Sequence, residues 1–464
     1  MGFMVAPAFD LPEVPGSTRY RFRITPEDGS GSLDFDAKTP WTPLSAVWED
    51  IPVGFAELTV TGMDGNRETG VSGTRKFYRK VGFERRQTTA VCGYRECGIL
   101  KLRHLFASPE VVYWLDHGSP NPAYEYYCYP SKMITAVLSG LTRASRLFPP
   151  LRAQALRMAR NAADFLIRAS FPADSVYPYL PPTYRGDSWS ARGRNDIVMM
   201  VYPPEAAMGY LDLYDETLDV RYWTAAWRIA DTLSRTRREN GTWPLQIRPA
   251  TGEAVTSNDL IPIETVRLFQ RLENQYGIQD YQLDRQAALD WIFANPVCTF
   301  NWEAQFEDVP PGKPYTNLSK GQACHVARFL LENASDHPEY IDPALEIIRF
   351  AEDQFVVWAH PNPELQPDGW PLPCALEQYS WMMPINASAS DMIQAWAAAF
   401  HRTGEDIYRQ KSMALADRMT MSQLPDGELP TYWHHPNDRW LNCSVYSAIT
   451  MIDLEESGIH AEPA

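Results

Sequence analysis

Three carboxylates crowd one short stretch of the chain, Phe300-Asn-Trp-Glu-Ala-Gln-Phe-Glu-Asp-Val-Pro-Pro-Gly-Lys-Pro-Tyr-Thr-Asn-Leu-Ser319. Glu303, Glu307 and Asp308 stand there with Trp302, Tyr315 and Asn317. Breaking a glycosidic bond uses two carboxyl groups, one protonated to help the leaving oxygen depart and one ionised to activate water or attack carbon. A carboxyl beside an indole loses hydration and rises in pKa, so Glu303 is the first candidate acid, with Glu307 and Asp308 as candidate partners. The plainer reading is that such carboxylates cap a helix or pair with an arginine.

Three further segments carry related chemistry. Tyr184 to Asp196 sets Arg185, Arg192 and Arg194 among Asp187, Asp196 and Trp189. The planar fork of Arg192 or Arg194 matches a sugar carboxylate with two hydrogen bonds, although a surface salt-bridge cluster has the same composition. Asp368 to Trp381 offers Glu377 as an alternative carboxylate beside Trp370, and Tyr379 as a phenol able to exchange the C5 proton of a uronate. Pro430 to Trp440 contains His434 and His435, whose adjacent side chains diverge and make a poor zinc pair.

Other features read as structural. Glu205 and Glu264 each follow proline at a helix start, where the dipole favours an acid. Cys92 and Cys97 lack the spacing of a zinc ribbon. Gly-rich phosphate loops, nucleophile elbows and dinucleotide fingerprints are absent, so neither a metal nor a cofactor is expected.

The elements that must position these groups fall into two kinds. Arg19 to Ile24 alternates aromatic or aliphatic residues with arginine, and Leu33, Phe35, Ala56, Leu58 and Val60 repeat that period, which predicts a small N-terminal antiparallel β-sandwich over residues 1–90. Residues 91–128 read as a connecting segment. From Tyr129 the period becomes helical: Leu151, Ala155, Met158, Ala162, Phe165 and Ala169 form one apolar stripe. Helices apolar on most sides, as around Ala206 to Leu213 and Ala389 to Phe400, interleave with amphipathic ones. That alternation predicts two concentric rings, an (α/α)6 toroid over residues 129–460, with an open solenoid as its rival. The loops at 184–196, 300–319 and 368–381 should meet at one end of it.

Composition narrows the partners. Hydrophobic residues at 45% and charged residues at 22% describe a folded chain with a large core. A net charge of -16 speaks against nucleic acid, whose phosphates draw on a surplus of Lys and Arg. No stretch has the length and apolarity of a membrane span, and the start lacks the pattern of an export signal, so the expectation is a cytoplasmic protein with reduced thiols. Oligomerisation stays open.

Trp302 to Val309, Tyr315 to Ser319, Glu352 to Trp358 and Glu377-Gln-Tyr379 resemble proteins of glycoside hydrolase family 154. The resemblance covers most of residues 125–455. It implies an (α/α)6 barrel with exo-acting β-glucuronidase activity, hence an acidic oligosaccharide substrate. The leading expectation is therefore a glycosidase releasing a terminal uronic acid. Its rivals are a polysaccharide lyase or uronate C5-epimerase using Tyr379 or Tyr315 with His434, and a non-catalytic uronide-binding protein.

Overall fold

The computed structural model describes residues 1–84, 89–188, 190–307, 312–359, 370–433 and 438–462. These form two compact units: residues 1–86 together with 349–368, and residues 87–348 together with 369–464.

In the first unit the alternating stretches become strands β1 (Gly2–Phe3), β2 (Arg19–Pro26), β3 (Leu33–Ala37), β4 (Gly54–Asp64) and β5 (Arg67–Arg79). Among the described residues they make one five-stranded sheet in the order β1-β5-β4-β2-β3, antiparallel except for the β1–β5 edge. Pairing Phe22 with Val60 and Ile24 with Leu58 puts the apolar set on one face. The strands expected as a sandwich thus share a single sheet. Its apolar face is closed by Leu11, Leu44, Trp48 and Ile51 from the intervening segments, in place of a second sheet. Within this unit the Met4 N–H donates to Asp353 Oδ1 at 2.7 Å and Lys80 Nζ donates to the Asp353 carbonyl at 2.7 Å.

The second unit is helical. Its helices are α1 (Tyr94–His104), the short α2 (Pro109–Val112), α3 (Pro130–Leu147), α4 (Arg152–Ala169), α5 (Tyr202–Thr217), α6 (Val220–Thr236), α7 (Ile263–Tyr276), α8 (Gln282–Ile292), α9 (Gly321–Asn333), α10 (Ile341–Phe355), of which residues from 349 on cluster with the first unit, α11 (Asn386–Thr403), α12 (Asp406–Ser422) and α13 (Leu441–Glu456). Helices α3, α5, α7, α9, α11 and α13 pack each against the next, and α13 returns to α3, so they close an inner ring. Outer partners lie alongside: α4 on α3, α6 on α5, α8 on α7, α12 on α11, and α1 on α13.

Burial follows the sequence pattern. α5 and α11 are buried along most of their length, whereas α6 hides only Tyr222, Ala226, Ile229, Ala230, Thr232 and Leu233. Proline opens α3 and stands in the first turn of α5, where its missing N–H is harmless. Gly277, at φ 72°, ends α7 in the left-handed turn, its N–H donating to the Glu273 carbonyl at 3.0 Å. Because an outer helix returns the chain each time, the inner helices run in one direction and their N-termini share one end of the ring. The stretch 91–128, expected as a connection, carries α1, which packs along α13 as an outer helix.

Candidate active site

A cavity of about 370 Å³ opens among the N-terminal halves of the six inner helices. Each contributes a titratable group: Lys132 from α3, Glu205 from α5, Glu264 and Arg267 from α7, His325 from α9, Asp391 from α11 and Tyr446 from α13. Lys320, just before α9, Arg328 on α9 and Glu377 complete the charged lining.

The centre of this arrangement is His325. Its Nδ1 meets Glu264 Oε1 at 2.6 Å, its Nε2 lies 3.4 Å from Asp391 Oδ1, and the Tyr446 hydroxyl is 3.5 Å from the same nitrogen. Tyr446 donates to Asp391 Oδ1 at 3.0 Å. Burial opposes the imidazolium, but the Glu264 charge and the bonds to Asp391 and Glu264 outweigh it and lift the pKa to about 10. Glu264 responds in the opposite sense: burial would raise it, yet Arg267 and His325 bring it down to about 2. Arg267 Nη1 stands 3.2 Å from Glu264 Oε2.

Glu205 differs. Burial first, and then the negative charge of Glu264, push its carboxyl up to about 8, against the weaker opposing pull of His325, Lys132 and Arg267. It is a carboxylic acid that keeps its proton at neutral pH while the carboxylate of Glu264 nearby is ionised. Pairs of carboxyls driven apart in this way are what acid–base catalysis requires.

Glu307, 2% exposed, is ion-paired to the cavity residue Lys132 and hydrogen-bonded by the Tyr202 hydroxyl. Burial works to raise its pKa, and Lys132 with Tyr202 brings it below the ordinary value. Its carbonyl accepts from the Tyr184 hydroxyl at 2.5 Å and from the Arg194 guanidinium, which packs 3.8 Å over the Tyr184 ring. The Tyr379 N–H donates to the Leu318 carbonyl at 3.0 Å and the Ser380 N–H to Asn317 Oδ1 at 2.9 Å. The loops 184–196, 300–319 and 368–381 therefore adjoin one another.

The individual candidates are distributed unevenly. Glu377 lines the cavity, and its carbonyl accepts from Lys320 Nζ at 3.0 Å. Glu303 is half-buried outside the cavity lining, and burial raises its pKa. Trp302 is buried, Asn317 ties its loop to Ser380 and Gln378, and Trp370 is half-buried. Tyr315 is exposed, with its hydroxyl donating to the Thr299 carbonyl at 3.1 Å. Tyr379 is raised to about 12 by burial. Arg192 is exposed and reaches the Asp187 carbonyl at 3.3 Å, while Arg194 is committed to Tyr184 and Glu307. Asp308, Trp189 and His434 lie outside the described residues.

Sequence reasoning passed over His325, Asp391, Tyr446, Lys132 and Lys320, and assigned Glu205 and Glu264 to capping. The usable signal is that Glu205, His325, Asp391 and Tyr446 stand on helices buried along most of their length, where a titratable group needs a partner or a task. Among the described residues no group of three or more His, Cys, Asp or Glu is arranged to hold a metal ion.

No family model and no curated protein sequence matches the chain. Solved structures do. A family 76 glycoside hydrolase from a bovine Bacteroides thetaiotaomicron strain is similar with TM-score 0.53 and 11% identity, covering 94% of this chain and 92% of that one. A D-mannose isomerase is similar with TM-score 0.56 and 10% identity over 78% of this chain and 97% of the other. The helical unit is an (α/α)6 toroid. Cellobiose 2-epimerase from Spirochaeta thermophila shares this toroid, with TM-score 0.53, 14% identity and 78% and 98% coverage. At these identities the likeness concerns the fold. The toroid places the six-helix cavity on its axis.

Proposed function

We propose that the protein is a glycoside hydrolase that removes a terminal uronic acid from an oligo- or polysaccharide, as a β-glucuronidase does, with Glu205 as general acid and Asp391 as the base or nucleophile. The observation that carries this is the gathering of Glu205, Glu264, Asp391 and Glu377 around one cavity, with burial and the Glu264 charge raising the Glu205 carboxyl toward its acid form. In the reaction Glu205 gives its proton to the glycosidic oxygen as the C–O bond breaks, and water supplies the new hydroxyl on the sugar. Asp391, which accepts from the Tyr446 hydroxyl, is assigned to the other face of the sugar ring. Lys132, Lys320, Arg267 and Arg328 supply positive charge around the cavity for a carboxylate-bearing sugar. The resemblance of Trp302 to Val309, Tyr315 to Ser319, Glu352 to Trp358 and Glu377 to Tyr379 to glycoside hydrolase family 154 implies the same substrate class. Glu377 is proposed to bind the sugar hydroxyls from the rim.

A second reading is proton transfer within a sugar, as in an isomerase or epimerase, favoured by the contact of Tyr446, His325 and Asp391. Incubation with a panel of uronides and neutral oligosaccharides, followed by mass spectrometry, separates the two: hydrolysis adds the mass of one water, whereas isomerisation leaves the mass unchanged and incorporates solvent deuterium. Glu205→Gln should lower hydrolysis of an aryl β-glucuronide at least about a hundredfold, and Glu303→Gln should leave most of it. The reverse pattern would return the acid to Glu303.

A further inference from the structure

At the other end of the toroid a second cavity, of about 440 Å³, lies among the C-terminal halves of α9, α11 and α13. Arg328 and Gln394 line both cavities. The two spaces are therefore divided by a thin polar partition. Arg328 Nη1 donates to Gln394 Oε1, Gln394 Nε2 donates to Thr450 Oγ1, and Arg328 Nε donates to Glu332 Oε1 at 2.6 Å.

We propose that this second cavity binds a small sugar, the monosaccharide released at the candidate site being its natural occupant, and that the bound sugar slows turnover through the Arg328–Gln394 partition. The proposal rests on the glycosidase reading for the identity of the sugar, not for the existence of the site. Three properties of the lining support a sugar. The side chains of Glu332, Asp453 and Thr450 supply acceptors for hydroxyl groups. Arg328 and Arg402 bring positive charge, suited to a sugar that also carries an acid group. Ile393, Ala397, Ala398 and Leu454 form an apolar strip for the C–H face of a ring. The volume falls within the range of small-molecule pockets.

The coupling follows from shared side chains. A ligand that accepts a hydrogen bond from Arg328 on the far side competes with Gln394 for the same guanidinium, and Gln394 is also a wall of the candidate site. Differential contact with two arrangements of one side chain is the physical content of coupling between sites.

The test uses the whole chain with free glucuronic acid and free glucose as probes. Ala398, on α11, lines only the second cavity and is half-buried, so Ala398→Phe fills the space without touching the candidate site. By calorimetry the unmodified protein should bind two equivalents of glucuronic acid and Ala398→Phe one. In turnover of an aryl β-glucuronide, inhibition by glucuronic acid should be mixed in the unmodified protein and purely competitive in Ala398→Phe, with at least about a fivefold change in the non-competitive constant. Ala398→Leu should lie between them, and a folded Ala398→Leu serves if the larger residue impairs folding. A single equivalent in the unmodified protein, or an unchanged mixed pattern in the filled variants, overturns the proposal. Two equivalents falling to one in the absence of any turnover would sink the glycosidase reading and leave this site standing.

Discussion

Glu264 acts on two neighbours at once: its charge raises the Glu205 carboxyl and sustains the His325 imidazolium. Removing the charge with Glu264→Gln should move both pKa values down. Glu205 acts as an acid only while protonated, so the proposed activity declines as pH rises through about 8. In Glu264→Gln that alkaline limb should shift to lower pH, by at least about one unit given the size of charge effects at such range. A pH profile of kcat/KM reads it, and an alkaline limb that stays in place would remove Glu205 from the acid role. At this scale the cavity groups were hard to read from the sequence, for definable reasons. A carboxylate in a first helical turn is explained sufficiently by the dipole, and nothing local separates Glu205 from an ordinary cap. Trp302 and Glu303 are neighbours along an extended stretch paired to Leu318, and successive side chains there point to opposite sides. Trp302 accordingly turns into the core, while Glu303 stays half-buried and is raised by that burial, the direction adjacency suggested.

Helix α1 shows how an element can conceal its own role. Lys101, 0% exposed, pairs with Glu428, 1% exposed, at 2.6 Å, so a residue that reads as surface charge belongs to the interior. This hid the amphipathic pattern and left 91–128 looking like a connection, while α4 and α6, whose stripes are uninterrupted, were legible. Lys101→Met strands a buried carboxylate, which keeps the His104 Nε2 at 3.3 Å as a neighbour. It should cost about 3–5 kcal/mol, measured as a drop in the denaturation midpoint, and Lys101→Met with Glu428→Leu should recover most of that loss. If the single variant were as stable as the double, the pair would not be holding α1. Gly98 makes a separate demand. A Cβ there would fall 2.4 Å from the Ala448 carbonyl oxygen and 2.6 Å from Ile452 Cγ1, so α1 meets α13 at a distance only glycine allows. Gly98→Ala should separate the two helices and lower the midpoint despite the better helix propensity of alanine.

For the whole molecule, the buried charges set a stability profile against pH. His325 is raised from 6.5 to about 10, so its contribution is complete below 6.5 and disappears as pH rises through about 10. Glu205, raised from 4.5 to about 8, keeps its proton when the unfolded chain has lost it, so it too withdraws stability as pH rises across that window. Glu264, lowered from 4.5 to about 2, contributes above 4.5 and is lost as pH falls toward 2. Tm should therefore fall steadily between about pH 7 and pH 10, and Glu264→Gln should flatten the alkaline part of that curve. A wild-type Tm independent of pH over this range would contradict the placement of His325. At this scale the sequence was most informative, because alternating burial of successive helices is a property of the ring itself. The partition between the two cavities was not legible, since Arg328, Gln394 and Thr450 come from three helices and have no mark in their own segments. The return of α13 to α3 has one more outcome. A linear stack of helical hairpins frays from its exposed ends and unfolds in stages, because each terminal unit has a single neighbour. In a closed circle every inner helix has a neighbour on both sides and there is no terminus from which to unzip, so amide exchange in the six inner helices should share one global opening event.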